Sequence, residues 1–374
     1  MNIARFLLFI LIAFTIYFGM HYYVYHNLAV LTSNWKWFKW VFIGLALSFP
    51  AVEIIGHASP LCPGPWTMRL ASLWLGIVFL LFFWLLAINL LHFLISIIPG
   101  SPFIPKSYRI MAVMAWVLIT CVWGLISGLS QPETVTYQVD RSERFKSGKL
   151  LRIVQLSDLH LGTSLGADFL AQVISRVHDL NPDLILITGD LIDMDIRNLQ
   201  NFIPLLKKLR APSGTFAVTG NHEYISNVQK FLDIMSQAGI PVLQNQLVFS
   251  NDGVQIAGVN DLEGRRISGS AVRSDMNLCL KDYNPGFPCI LMSHQPKKYE
   301  AAVSKGVDVI LSGHTHSGQL FPFHLFVKMA FKHISGNHKI SQNTNIIISN
   351  GTGFWGPPLR VLAPAQIVVV EFRY

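Results

Sequence analysis

In a chain of 374 residues, 51% hydrophobic and only 13% charged, a mean hydropathy of +0.42 excludes one soluble enzyme of ordinary make-up. The net charge of +8 does not mark a nucleic-acid binder: +5 of it lies in the first 132 residues, on Arg5, Lys36, Lys39, Arg69, Lys106 and Arg109 against Glu53, and the rest shows no basic stripe with interleaved aromatics, so no nucleic-acid partner is expected. The four cysteines, Cys62, Cys121, Cys279 and Cys289, include no Cys-x-x-Cys pair, which excludes a zinc knuckle; Cys279 and Cys289 either pair in an oxidising compartment or stay as buried thiols.

In chain order, residues 1–132 read as a transmembrane region. Four stretches lack Lys and Arg: Phe6 to about Tyr25, Val41 to about Gly56, Leu70 to about Ile98 and Ile110 to about Leu129. A spanning helix needs about 20 mostly apolar residues, so the second requires Trp40 or His57 to complete it (40–57). No small-residue cleavage site follows the first span, where Tyr22, Tyr23 and Tyr25 stand instead; it is read as retained, not as a signal peptide. Trp35, Trp37 and Trp40 form an interfacial aromatic belt. Pro60, Pro63 and Pro65 mark one turn, and Pro99, Pro102 and Pro105 the next. Glu53 and His57 share a helix face at i, i+4; they are either an intramembrane functional pair or headgroup-depth residues near a helix end.

Four spans put both chain ends on one side of the membrane. Lys36, Lys39, Lys106 and Arg109 oppose Arg5 and Arg69, which favours placing the part after residue 132 on the extracytoplasmic side of a multi-pass inner-membrane protein. Adding Arg141, Arg144, Lys146 and Lys149 reverses that count.

Residues 133–149 are expected as a linker, and 150–374 as an α/β domain. Strands are predicted at Leu151–Leu156, Leu184–Thr188, Phe216–Thr219, Val254–Val259, Ile290–Met292, Val309–Leu311, Ile346–Ser349 and Ile367–Phe372, from β-branched runs bounded by turn residues. Helices are predicted at Ala167–Leu180, Leu199–Leu209, Val228–Ala238 and Tyr299–Lys305.

Metal-capable residues follow five of these strands. They are Asp158-Leu-His160, Gly189-Asp190, Gly220-Asn221-His222-Glu223, Ser293-His294 and Gly313-His314-Thr-His316. In α/β sheets, ligands bind beyond the carboxyl ends of strands. Imidazole with carboxylate and amide oxygen suits a pair of divalent ions, Mn, Fe or Zn. Two such ions need a bridge, for which Asp190 is the candidate, and can share a hydroxide that attacks phosphorus.

The ordered set SDLHLG, GD at 189–190, GNHE at 220–223, SHQP at 293–296 and GHTHSGQ at 313–319 resembles the calcineurin-like metallophosphoesterase superfamily over about Arg152 to Phe372. The late segment GTGFWGPPLRVLAPAQI is similar to its envelope-associated, YkuE-like branch. The resemblance implies a four-layer αββα sandwich. It implies Asp158, His160 and His316 on one metal, Asn221, His294 and His314 on the other, and Asp190 bridging. It also implies that His222 contacts the phosphate and protonates the leaving group. Asp193 stands where purple acid phosphatases carry Tyr, so a tyrosinate–iron centre is not expected; Asp193 reads as a loop residue or one supporting the ligands. His178, His324, His333 and His338 lie outside the motif positions and are not expected to be ligands.

Asn350, Gly351 and Gly353 either line a phosphate pocket or form a Gly-rich turn, and Arg360 is either a phosphate clamp or a surface arginine. Leu320–Ile334 either dips into the bilayer surface or packs at the domain edge. The expectation is a membrane-bound hydrolase of phosphomonoesters or phosphodiesters, on a lipid, lipid-linked or envelope phosphate. A reading of a different class makes the membrane part a transporter or partner-binding module, with the soluble part sensing a phosphorylated ligand.

Overall fold

The computed structural model describes residues 3–32, 35–58, 64–193, 199–264 and 273–374. Cys62, Pro60 and Pro63 lie outside them, as does the side chain of His57. The chain divides into a helical unit, Met1–Leu129 with Gly356–Val361, and a catalytic unit, Ser130–Trp355 with Leu362–Tyr374.

The helical unit contains α1 (Ile3–Leu28), α2 (Phe38–Ala58), α3 (Pro65–Ser96) and α4 (Lys106–Leu129). Three stretches, Phe38–Ile55, Trp66–Ser96 and Lys106–Leu129, are long and apolar enough to cross a membrane. Each helix starts three to five residues before its predicted apolar stretch; α3 stops at Ser96, short of Ile98, α4 ends at Leu129 as predicted, and Pro50 lies inside α2. Val24, Phe42, Val78, Leu85, Val113 and Val117 pack inside, while Leu11, Phe93, Leu118 and Ile126 face outward. Gly124 and Gly128 sit one turn apart on α4, where small residues let another backbone approach. The approaching chain is Gly356–Val361: the Arg360 N–H donates to the Gly124 carbonyl at 2.9 Å. A Cβ on Gly128 would lie 2.5 Å from the Pro358 oxygen.

The catalytic unit opens with a strand where a linker was expected. This is β1 (Glu133–Asp140), paired parallel along its whole length with the last strand. Its alternation of Val135, Tyr137 and Val139 with polar residues is the mark of a half-buried strand, overlooked beside the basic cluster that follows. The other strands are β2 (Leu150–Leu156), β3 (Leu184–Ile187), β4 (Thr215–Ala217), β5 (Gln246–Phe249), β6 (Gln255–Gly258), β7 (Cys289–Met292), β8 (Val309–Ser312), β9 (Gly336–Lys339), β10 (Asn345–Ile348) and β11 (Gln366–Arg373). Of these, β5 and β9 were also unpredicted. They are edge strands with no fully buried residue, so the apolar run that betrays a central strand is missing.

One mixed sheet runs β1-β11-β2-β3-β4 and the other β5-β6-β7-β8-β10-β9. Period-two alternation assigns the layers. Ile153, Leu184, Leu186, Val368 and Val370 meet Ile256, Ile290, Met292, Val309 and Leu311 between the sheets. From the opposite face of the first sheet, Val154, Leu156, Ile185 and Ile187 pack on α6 (Ala167–Asp179), α7 (Ile203–Leu206) and α9 (Val228–Ala238). Leu291, Ile310, Ile346 and Ile348 pack on α10 (Met276–Cys279) and α11 (Glu300–Lys305). The short helices α5 (Ser142–Phe145) and α8 (Asn221–Ser226) lie between strands. Cys279 and Cys289 are free buried thiols.

Candidate metal centre

Parallel strands deliver their carboxyl ends together, and the motif loops leave from those ends. Asp158 and His160 follow β2, Asp190 follows β3, Asn221 and His222 open α8 after β4, His294 follows β7, and His314 and His316 follow β8. Two groups of ligand atoms converge, Asp158–His160–His316 and Asp190–His294–His314, each within 4.8 Å of one another. A third group, His160–Asp193–His222, shares His160 with the first.

The loops are strained where the donors sit. Asp158, His160, Asp190, His314 and His316 all have positive φ, between 47° and 69°, a region that L residues enter at a cost and keep where a functional geometry holds them. Close approach also demands glycine: a Cβ on Gly220 would collide with the Asp190 carboxylate, and one on Gly313 with Ser157 and Asp158.

Proton bookkeeping shows what the site is built for. His294 Nδ1 lies 2.8 Å from the Thr188 carbonyl, which can only accept, so Nδ1 carries a proton. In the neutral ring Nε2 is then a bare lone pair. It faces two oxygen acceptors, Asp190 Oδ2 at 3.1 Å and Asn221 Oδ1 at 3.2 Å, with His314 Nδ1 also 3.2 Å away. A lone pair facing two oxygens at such distances needs a cation between them. Without a metal the cation is a proton: burial opposes it, but Asp190 outweighs burial and holds the His294 pKa well above its ordinary value. The same crowding recurs where His160 Nε2 lies 3.1 Å from His316 Nε2, itself 3.4 Å from Asp158 Oδ1. Burial, reinforced by His222, pushes His160 down to about 3, and burial beside His294 pushes His314 down to about 4. These rings are neutral at pH 7, as metal ligands must be. The donor set fits a pair of divalent ions.

His222 is placed differently. Its backbone N–H donates to Asp190 Oδ1 at 2.9 Å, and its Nδ1 meets Asp193 Oδ1 at 3.2 Å. Burial would lower its pKa, but Asp190 and then the Asp193 hydrogen bond raise it to about 9. Asp193 therefore fixes the orientation of the His222 ring.

Sequence reasoning missed several contributors. Glu223 is fully buried and binds three backbone N–H groups, of Gly220 at 2.6 Å, Asp190 at 3.0 Å and Ile192 at 3.2 Å. Burial, with Asp190, raises it to about 7. Its place in the GNHE motif could have revealed it as the capping-box partner of the helix start. Buried Asp261 accepts both oxygens' bonds from Gln295, next to His294. Trp355, half-exposed, stands edge-on to His222 at 5.8 Å between ring centroids, its backbone clamped on both sides by Gln319. No local signal in the sequence marked these two.

Of the remaining candidates, Asn350 bonds the Pro364 carbonyl at 3.4 Å. The N–H groups of Thr352 and Gly353 bond the Ser157 and Asp158 carbonyls, so this turn is pinned to the first metal-site loop. Arg360 belongs to the segment that groups with the helices, and its side chain is entirely buried. His178 and His338 bond backbone carbonyls.

The family model described as calcineurin-like phosphoesterase matches residues 151–318. An uncharacterized metallophosphoesterase of Campylobacter jejuni is 31% identical over 98% of this chain and 99% of its own. Another, of Helicobacter pylori, is 38% identical over 66% of each chain, so this chain spans just under two thirds of that relative. A Danio rerio protein named transmembrane protein with metallophosphoesterase domain is 30% identical over 82% of this chain and 74% of its own.

Proposed function

The chain belongs to the calcineurin-like metallophosphoesterase family, and we propose that it is a two-metal phosphoesterase whose helical unit spans a membrane four times. Asp158, His160 and His316 would hold one ion, Asn221, His294 and His314 the other, and Asp190 both. Bound there, two ions of Mn, Fe or Zn would supply Lewis acidity toward the phosphoryl oxygens and a nucleophile at neutral pH. The observation that carries the reading is the proton-poor contact of His294 Nε2 with the Asp190 and Asn221 oxygens, beside His314 Nδ1.

The chain's own residues do the rest. Thr188 fixes the tautomer of His294, and Glu223 holds the Asp190 and Gly220 turns together by their N–H groups. His222, whose Nδ1 is held by Asp193, would donate a proton to the leaving oxygen. Trp355 borders His222 and shields one side of it from water. The substrate is a phosphomonoester or phosphodiester presented at the membrane: a phospholipid, a lipid-linked sugar phosphate or an envelope polymer.

The test uses the full chain in lipid nanodiscs, because Gly356–Val361 groups with the helices and truncation would strip its packing. After chelation, Mn²⁺, Zn²⁺ or Fe²⁺ is restored and hydrolysis of bis-p-nitrophenyl phosphate and p-nitrophenyl phosphate is followed. Hydrolysis that returns with metal, vanishes in Asp190→Asn and falls about 10²–10⁴-fold in His222→Ala is expected. A wild-type protein that binds metal but cleaves neither ester, nor any lipid phosphate, would sink the reading.

A further inference from the structure

After the metal loop the chain forms α12 (His324–Ala330), and no residue of this helix is buried. Its sequence is nevertheless apolar, and Phe323, Leu325, Phe326 and Met329 expose 46%, 48%, 51% and 85% of their surface. A helix packed at a domain edge would bury its apolar face; this one shows it. Lys328 and Lys332 lie exposed beside that face.

The helix is locked to the candidate metal centre at both ends. At its start, the His324 backbone presses on Gly318, so closely that a Cβ there would collide with it. At its end, the Phe331 ring stands 5.5 Å from that of His314, with Lys297 Nζ 3.9 Å from its centroid. Half-exposed Trp355 hangs on Gln319, the residue after Gly318. Aromatic and aliphatic side chains edged by lysines match an anionic bilayer surface, apolar below and negative at the headgroups.

We propose that α12 is an interfacial helix that seats Phe323, Phe326 and Met329 in the anionic surface of the membrane the chain is embedded in. The metal centre is thereby opened at headgroup depth, to phosphoesters of amphiphiles. This second step rests on the phosphoesterase reading; the seating of the helix does not.

Two measurements on full-length protein in liposomes separate them. In the first, Met329→Cys carries a fluorophore and the bilayer carries doxyl-labelled lipid, with wild type labelled identically as background and Lys281→Cys as a water-facing control. The expected result is quenching at 329 at least threefold stronger than at 281, reduced by Lys328→Glu with Lys332→Glu and by replacing phosphatidylglycerol with phosphatidylcholine. Equal quenching at 329 and 281 overturns the proposal, as does energy transfer between 329 labels on separate copies, which would make α12 a self-association face. In the second, Phe326→Ser with Met329→Ser should leave kcat on bis-p-nitrophenyl phosphate unchanged and raise KM for a bilayer-borne phosphoester about tenfold. Strong quenching without any hydrolysis would refute the phosphoesterase and leave the interfacial helix standing.

Discussion

The two units of this molecule are built inside out relative to each other. In the catalytic unit the buried residues include Asp158, Asp190, Glu223, Asp261 and Asp308; in the helical unit the exposed ones include Leu11, Phe93, Leu118 and Ile126. Exposure has no meaning apart from the solvent it faces. Leucine turned outward is ordinary in lipid, and a carboxylate turned inward is stable only where partners replace its water. Among the described residues of the catalytic unit, α12 stands out for that reason: an apolar helix with no buried residue.

The sharpest way to break the comparison is a carboxylate buried far from any ligand role. Asp308 takes Arg144 at 2.8 Å and the Cys289 N–H at 2.9 Å, yet burial outweighs them and raises its pKa to about 6. A raised carboxylate pKa means that the folded state holds the proton more tightly. Stability from this group is therefore full below about pH 4 and lost as pH rises through about 6, by about 3 kcal/mol for a shift of some two units. Thermal unfolding of metal-free wild type and Asp308→Asn between pH 4 and 7 should show the wild type losing ground over that window. Parallel curves would mean that the two arginines fully compensate the burial.

Glu223 tests whether charge at the centre is placed for ligands or for the loops that carry them. Its two oxygens accept three N–H groups; Glu223→Gln turns one side into a donor facing a donor. Metal affinity is expected to fall about 10–100-fold, as for other residues that position ligands, with kcat at saturating metal changed far less. Titration calorimetry beside turnover separates the two. Unchanged affinity would show that the strained turn at Asp190 is held by its glycines alone.

How much of this was legible in sequence follows from how each residue acts. Buried central strands show as β-branched runs, so β2, β3, β7, β8 and β11 were placed within a residue or two. Metal-capable residues show because Asp and His directly after such runs are unusual, and Asp158, His160, Asp190, His294, His314 and His316 do converge. Edge strands β5 and β9 pair only with the strand that follows each and bury no residue fully, so they lack the apolar run of a central strand, while β1 takes its partner β11 from more than two hundred residues away and shows only a faint alternation. Asp261 and Trp355 likewise act only through folding: one meets Gln295, 34 positions away, and the other Gln319, 36 positions away. The placement of Gly356–Val361 among the helices could not be read either, since its two glycine partners on α4 lie over two hundred residues earlier.

The smallest expected effect lies in the helical unit, where the same logic of partnered polar groups applies more weakly. Asn89 on α3 donates to Tyr23 Oη and Asn27 Oδ1 on α1, both at 3.1 Å, and accepts from Arg109 on α4 at 3.0 Å. Interhelical hydrogen bonds within membranes contribute about 0.6 kcal/mol on average and rarely above about 1.7, because the separated helices also find partners. Asn89→Leu should therefore lower the unfolding midpoint in detergent only slightly, and leave turnover per folded molecule within about twofold of wild type. Should turnover collapse while the fold persists, the helices would be shaping the metal centre rather than carrying it. The contrast between a catalytic unit organised by charge and a helical unit organised by apolar packing would then fail at the residue where it was expected to matter least.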